Sequence, residues 1–497
     1  MLLALLATLA QASPLIFVEA ELPTTFDPLR STTMTDLRVH DLLFDKLFYS
    51  SAITSEPKSR LVYAKWLNGG ASVQLRPREG VTWHDGKPLT AGDICFTVDT
   101  MLDPANRTEV TEPFATRLAR CAVEDEAAIV HYTNPSGFSR EWLDFYVLPA
   151  HAYPFGNAPV GTGQMRLKKR SKKGLRFQAH TSSAHAAKID EMELRLASDP
   201  LDDVEALETN EIAGIIDVPL VVRHSLADSD DIDLVTIDLR SIWSLAINVG
   251  HGPLAKPQMR QGLEALLDRT ALLPNVALHQ DDLPLANFLT GPWCASSQFY
   301  NRSLKARSGA DPGLAKARFE AAGLVLTEDG WTWGDTPFQL RLGVPEALEQ
   351  RVPGVGDALA TMVRDGGFDV VLRTLSAEDY LTARQGALAA ELELLLLEWS
   401  LSDPQDVSPF LHTSGTYNPF HYSNAKVDEF LVGARTAGTN TESMDLSHHL
   451  HAHLNLELPY IFLWELRSQS AWRNEVRNAT IAPRVYWTDL QGWRWEQ

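Results

Sequence analysis

Trp83-His84-Asp85 sets an imidazole beside a carboxylate, the pairing from which acid–base and nucleophilic catalysis are built. No nucleophile accompanies it, and a hydrogen-bonded turn through Asp85-Gly86 accounts for it better. A second cluster, His448, His449, His451 and His453, lies on a helix expected over 447–456. His449 and His453 stand four apart and could clip a metal ion, but a solvated or half-buried face is the commoner use of such a row. No metal is assigned. Pro159-Val-Gly-Thr-Gly163 fails as a phosphate loop, because no Lys-Ser/Thr follows and no helix begins there. Gly-x-Ser-x-Gly, His-Glu-x-x-His and a Walker A loop are absent too. The expectation is a protein that is not an enzyme and needs no cofactor. What remains is binding chemistry: the loop from Glu398 to Asp406 carries Trp399, Ser402, Asp403 and Asp406. Trp399 and Trp243 either stack on a ligand or fill the core. Asp406 either meets a ligand or sits solvated after the Asp403-Pro404 turn.

These side chains need elements to position them. The unbroken apolar run Leu394-Leu-Leu-Leu397 predicts a strand buried on both faces. It hands the 398–406 loop to a sheet edge, where α/β proteins bind ligands. Strands expected at 338–342 and 368–372, with a helix near 358–363 between them, give a β-α-β rhythm. Earlier, Val73 and Leu75 alternate with Gln74 and Arg76, the period of a half-buried strand. Glu79-Gly80 and Asp85-Gly86 then mark turns. Thr90, with Asp93 three residues on, predicts the N-cap of a helix through 94–98.

The sequence 73–93 runs as a strand ending in Leu-Arg, then Trp83-His-Asp-Gly86, then Pro88-Leu-Thr-Ala91 and the acid Asp93. It resembles the dipeptide- and oligopeptide-type (family 5) periplasmic solute-binding proteins of bacterial ABC importers. Leu148-Pro-Ala-His151 and Pro159–Gly163 are similar to further family motifs, although Gln164-Met165 replaces the family's Pro-Tyr. The helix at 257–269 ending in Asp268-Arg269, His421-Tyr-Ser-Asn424 with Val427-Asp428, and the strand at 458–463 carry the likeness to the end.

The resemblance implies an α/β fold, a periplasmic binding protein-like type II (cluster C) hinged clamp with mixed sheets. It also implies a division: a signal peptide at 1–12, a discontinuous domain I (13–40, 160–240, 466–497), domain II (41–159) and domain III (241–465). The implied function is capture of a peptide or peptide-like solute and its delivery to the permease subunits of the inner membrane. A non-peptide solute (glycan, metal chelate or opine), or a sensor role towards a receptor, is the alternative. Thr32 and Thr33, on the loop after the first strand, would hydrogen-bond ligand backbone unless they cap the helix that follows. Relatives place a Trp-x-x-Asp on the loop matching Trp399 onward, the acid pairing with the ligand's α-ammonium. Burying an ammonium demands such a partner. Here Ser402 stands three residues after Trp399 and Asp403 four, which makes Asp403 the first candidate and Asp406 the second.

Composition narrows the partners. The 497 residues carry 44 Lys and Arg against 64 Asp and Glu, a net charge of −20, which disfavours nucleic acid and anionic membrane. The one basic run, 166–173, reads as a hairpin's solvated face. Residues 1–12 form an apolar run ending in Ala10-Gln-Ala12, the pattern of a cleaved secretory signal, too short to span a bilayer. No cysteine follows it, so a free periplasmic protein without lipid anchor is expected; no partner of its own kind is expected, and the protein is taken as a monomer. Cys95, Cys121 and Cys294 allow one bridge with one free thiol, or none; Cys95–Cys121 is the preferred pair.

Overall fold

The computed structural model describes residues 14–496 except 32, 51–56, 109, 134–142, 157, 184–185, 220–221, 228, 274–285, 401–405, 438, 480–485 and 488–489. The apolar start expected to be a signal lies outside the described residues. Among the described residues no helix is long and apolar enough to cross a membrane.

The chain opens with β1 (Leu15–Glu19) and α1 (Met34–Leu43). Strands β2 (Val62–Leu67) and β3 (Ser72–Pro77) precede α2 (Ala91–Leu102), and β4 (Leu118–Glu124) and β5 (Ala127–Tyr132) follow it. Next come β6 (Met165–Ser171), β7 (Gly174–Ala179), β8 (Glu191–Leu196) and the short β9 (Gly214–Ile215). The long β10 (Ile232–Ile247) leads to α3 (Pro257–Leu266), α4 (Pro312–Ala321), β11 (Gln339–Pro345), α5 (Val355–Asp365), β12 (Asp369–Leu375) and β13 (Leu394–Ser400). Two helices, α6 (Ala425–Thr436) and α7 (Asn440–Glu457), precede β14 (Tyr460–Arg473). These elements form two compact units. The first takes the chain up to Pro135, then Ser139–Ile237 and Ser468–Gln497; the second takes Asp238–Arg467. The chain passes between them inside β10 and again inside β14.

In the first unit β1 lies parallel to both β8 and β9, while β7 and β6 continue antiparallel beyond β8. Phe17 of β1 makes edge contacts with Trp472, Tyr486 and Trp487, an aromatic core on one side of the strand. A separate antiparallel sheet, in the order β2-β3-β5-β4, carries α2, which starts with the predicted cap: Thr90 and Asp93 bond reciprocally to each other's backbone. A disulfide joins Cys95 of α2 to Cys121 of β4, and Cys294 is a buried free thiol. The basic run lies on the β6–β7 hairpin, where Lys168 pairs with Glu191 and, on β7, Arg176 pairs with Glu193 at 2.7 Å.

In the second unit β11 is parallel to β12 and to β13, and β10 is antiparallel to β13. Alternation along β13 sends Leu394 and Leu396 into one core with Leu342 and Leu359. Leu395, Leu397 and Trp399 enter a second core with Phe410, Tyr460 and Phe462. An unbroken apolar run is what a strand covered on both faces requires.

Candidate functional site

Parallel strands bring their carboxyl ends to one edge, and in α/β folds ligands bind there. Each unit has such an edge.

In the first unit the edge gathers Glu19 from the end of β1, Arg38 from α1, Asp217 from just beyond β9, and Ser468 from within β14. Arg38 grips Glu19 bidentately, Nε to Oε2 at 2.7 Å and Nη2 to Oε1 at 2.6 Å, and reaches Asp217 Oδ2 at 3.4 Å. Ser468 Oγ donates to the other Asp217 oxygen. Glu19 and Arg38 are buried, and Asp217 is about one-third exposed, its side chain at 32 %. Burial works against the guanidinium's charge, but the Glu19 carboxylate beside it, helped by Asp217, holds Arg38 above its ordinary pKa. The group carries two carboxylates for one cation, a net negative charge at the edge. No pattern in the chain announces it, since its members lie 19 and 179 residues apart.

The loop from β1 is fastened to α1 through Asp36, which is fully buried. Its carboxylate accepts from Thr24 N at 2.7 Å, Thr24 Oγ1 at 2.8 Å, Thr25 N at 3.2 Å and Thr33 N at 3.2 Å. Thr33 Oγ1 in turn accepts from Asp36 N, so Thr33 is the N-cap of α1, the second of its two expected roles. Thr32 lies outside the described residues.

In the second unit the carboxyl ends of β11, β12 and β13 share an edge. There Glu398 accepts from Ser241 Oγ, and its backbone N–H donates to Tyr380 Oη at 3.1 Å. Trp399 is wholly buried, stacked on Phe410 at 4.4 Å and 9°, with Tyr460 and Phe462 edge-on at 5.0 and 5.5 Å. Trp243 is buried as well, but against Trp464 in the other core, 5.6 Å between rings. The register explains the split: Ile242, not Trp243, stands opposite Trp399 on β13. The two indoles therefore lie on opposite faces of the sheet and cannot sandwich one ligand. Asp406 Oδ1 accepts from Ser408 N at 2.9 Å in a local turn after the loop. Ser402 and Asp403 lie outside the described residues.

The residues that looked catalytic are staples. His84 Nδ1 accepts from Gly161 N at 3.1 Å and Nε2 donates to Gly163 O at 3.2 Å, while His84 N donates to Gly161 O at 2.8 Å. Burial, then the neighbouring His180, pushes the imidazole down to about 3, so it is neutral. Gly161 and Gly163 pass so close to α1 that a Cβ would come within 1.8 Å and 2.5 Å of the Leu43 and Leu42 carbonyl oxygens. Asp85 Oδ2 takes His151 Nε2 at 2.8 Å, and Asp93 Oδ1 takes Ala150 N at 2.9 Å. The turn and the cap of α2 are thus fastened to 150–151 and 161–163, segments far along the chain from them. The histidines of α7 are also engaged: His451 with Thr290 Oγ1 at 2.9 Å and Asn301 N at 3.0 Å, His448 with Gln298 O, His449 with Asp445 O, and His453 with Asn424. Among the described residues no group of three or more His, Cys, Asp or Glu could hold a metal ion.

Comparison with known proteins gives a consistent answer. The family model of the bacterial extracellular solute-binding proteins, family 5 Middle, matches residues 60–420. The chain is 18% identical to the oligopeptide-binding protein AppA of Bacillus subtilis (strain 168), over 95% of this chain and 89% of that one. It is 23% identical to the glutathione-binding protein GsiB of Pectobacterium atrosepticum, over 83% and 80%. The structure of Bacillus subtilis AppA in complex with a nonapeptide superposes with a TM-score of 0.78 at 18% identity, covering 98% of this chain and 99% of that one. That of NikZ from Campylobacter jejuni in complex with Ni(L-His) gives 0.78 at 18% identity, over 97% and 99%.

Proposed function

Given that the chain belongs to the bacterial extracellular solute-binding proteins, family 5, we propose that it is the periplasmic substrate-binding component of an ABC importer, capturing a peptide or peptide-like solute and passing it to the permease. The observation that carries this reading is the carboxyl edge of the second unit. There β13, anchored through Trp399 in a ring stack, ends at the kind of sheet edge where α/β proteins bind ligands, and the sequence that follows it carries Asp403 and Asp406. Asp406 is engaged in its own turn with Ser408. Asp403 is left as the acid that meets the ligand's α-ammonium. The AppA relative binds oligopeptides by name, and its structure holds a nonapeptide.

The finer division of the first unit into domains I and II, export by a signal at 1–12, and ligand-driven closure of a clamp belong to the same proposal. Native mass spectrometry of protein purified from its source tests the ligand class. A retained mass resolving to a peptide supports the reading, and a retained glycan, opine or metal chelate overturns it. N-terminal sequencing of exported protein should begin near Ser13.

A further inference from the structure

The second unit contains a cavity of about 210 Å³ whose walls, among the described residues, come from α3, α4, the end of α7 and the loop before α4. Its lining is strongly cationic. Arg269, Lys305, Arg307 and Arg318 face it with a single carboxylate, Glu264. Glu264 pairs with Arg269 at 2.9 Å and with Arg307 at 3.5 Å, and Asp311 adds a contact to Arg307 at 3.6 Å. Four cations less two carboxylates leave a charge of +2, in a chain whose net charge is −20. Lys305 and Arg318 are exposed and make no ion pair among the described residues.

The buried cation carries the second indication. Arg269 is only 2 % exposed. Its Nη1 donates to Glu264 Oε1 at 2.9 Å and Arg307 O at 2.6 Å, and its Nη2 donates to Phe462 O at 3.1 Å. Its Nε is buried with no acceptor among the described residues. A guanidinium is a rigid fork of five donors, and an unused buried donor is costly unless something accepts from it. We propose that this cavity binds a small inorganic oxyanion, phosphate or sulfate. Arg269 would donate from below, and Lys305 and Arg318 would close over the anion from the surface. Guanidinium groups suit such oxygens because several N–H donors converge on a tetrahedral anion. A field of this sign in an otherwise acidic surface concentrates anions locally. The proposal rests on the lining of this cavity and does not depend on the solute-binding reading.

Calorimetric titration of the full chain with sodium phosphate at pH 7 in a chloride buffer tests the site, followed by displacement with sulfate. Saturable binding with a dissociation constant on the order of 1 mM or tighter is expected. Lys305→Gln/Arg318→Gln should weaken it by about tenfold or more and leave circular dichroism unchanged, because both side chains are exposed. Lys172→Gln/Lys173→Gln, which removes charges from the basic hairpin instead, should leave it intact. The absence of saturable heat up to about 20 mM phosphate overturns the proposal, as does equal affinity in the Lys305→Gln/Arg318→Gln variant. Sulfate that fails to displace bound phosphate overturns the shared-oxyanion assignment.

Discussion

At the carboxyl ends of β1, β8 and β9 the first unit pairs its polar groups with one another: buried Glu19 with buried Arg38, Arg38 with the half-buried Asp217, Asp217 with Ser468. At the carboxyl ends of β11, β12 and β13 the second unit does something else. It buries rings, with Trp399 stacked on Phe410 and boxed by Tyr460 and Phe462, and its acid Glu398 accepts from a hydroxyl, that of Ser241. The first arrangement is demanding in geometry, because a buried charge without its partner is costly. The second is a rigid apolar anchor that needs no matching charge. An acid that is to meet a ligand's cation should lie where no buried cation already neutralises it. Glu19, already gripped by Arg38, does not meet that condition.

The largest effect should come from breaking the charged edge. Arg38→Met strands Glu19 inside the first unit and should cost about 3–5 kcal/mol of stability, read by chemical denaturation. The double variant Arg38→Met/Glu19→Leu should recover most of that loss, and no recovery would mean the pair acts as more than mutual neutralisation. Trp399→Ala tests the aromatic edge. It should cost about 3 kcal/mol or more through the cavity it leaves among Phe410, Tyr460 and Phe462. A variant that keeps its stability but loses ligand affinity would return Trp399 to the role of pocket lining.

Acid should separate the two regions more gently. Burial holds His40 at about 4 and His84 at about 3 in the first unit, and His451 at about 4 in the second. Each is held below its ordinary value of 6.5, so the unfolded chain takes up a proton that the folded one refuses. Stability from each is complete above pH 6.5 and drains away as pH falls towards those values, by up to ~1.4 kcal/mol per pH unit and group. Asp41, in the first unit, has the opposite sign: burial raises it to about 6, so its contribution is present at low pH and lost as pH rises through that value. Thermal midpoints recorded from pH 6.5 to 4.5 should fall in the wild type and fall less steeply in His84→Asn and His451→Asn; an unchanged slope would contradict the buried neutral imidazoles. The smallest effect is assigned to Asp406→Ala, about 1 kcal/mol from the lost turn bond to Ser408, with little change in ligand affinity.

How far these features were legible from the chain depended on how local they are. The Thr90–Asp93 cap and the burial of β13 on both faces are properties of consecutive residues, and the structure has both as expected. The Trp83–Gly86 turn could be read as a turn, but its bonds to Gly161, Gly163 and His151 are long-range and leave no local trace. The opposite faces of Trp243 and Trp399 follow from a one-residue offset in the β10–β13 register, which only the pairing itself reveals. The Glu19–Arg38–Asp217 group is assembled from residues 19 and 179 positions apart, which no stretch of sequence displays together. Each residue alone is an ordinary charge at the end of a strand or on a helix.

The assignment of solute capture to the second unit's loop rests on Asp403, and calorimetry can test it directly. Wild type and Asp403→Asn are titrated with a short peptide bearing a free amino terminus and with its N-acetylated form. Asp403→Asn should weaken binding of the free peptide by about ten- to a thousandfold, at ~1.4 kcal/mol per decade, with the unliganded thermal midpoint unchanged. The acetylated peptide should bind the wild type as weakly as the free peptide binds the variant. Equal affinities of wild type and Asp403→Asn for the free peptide would contradict the account.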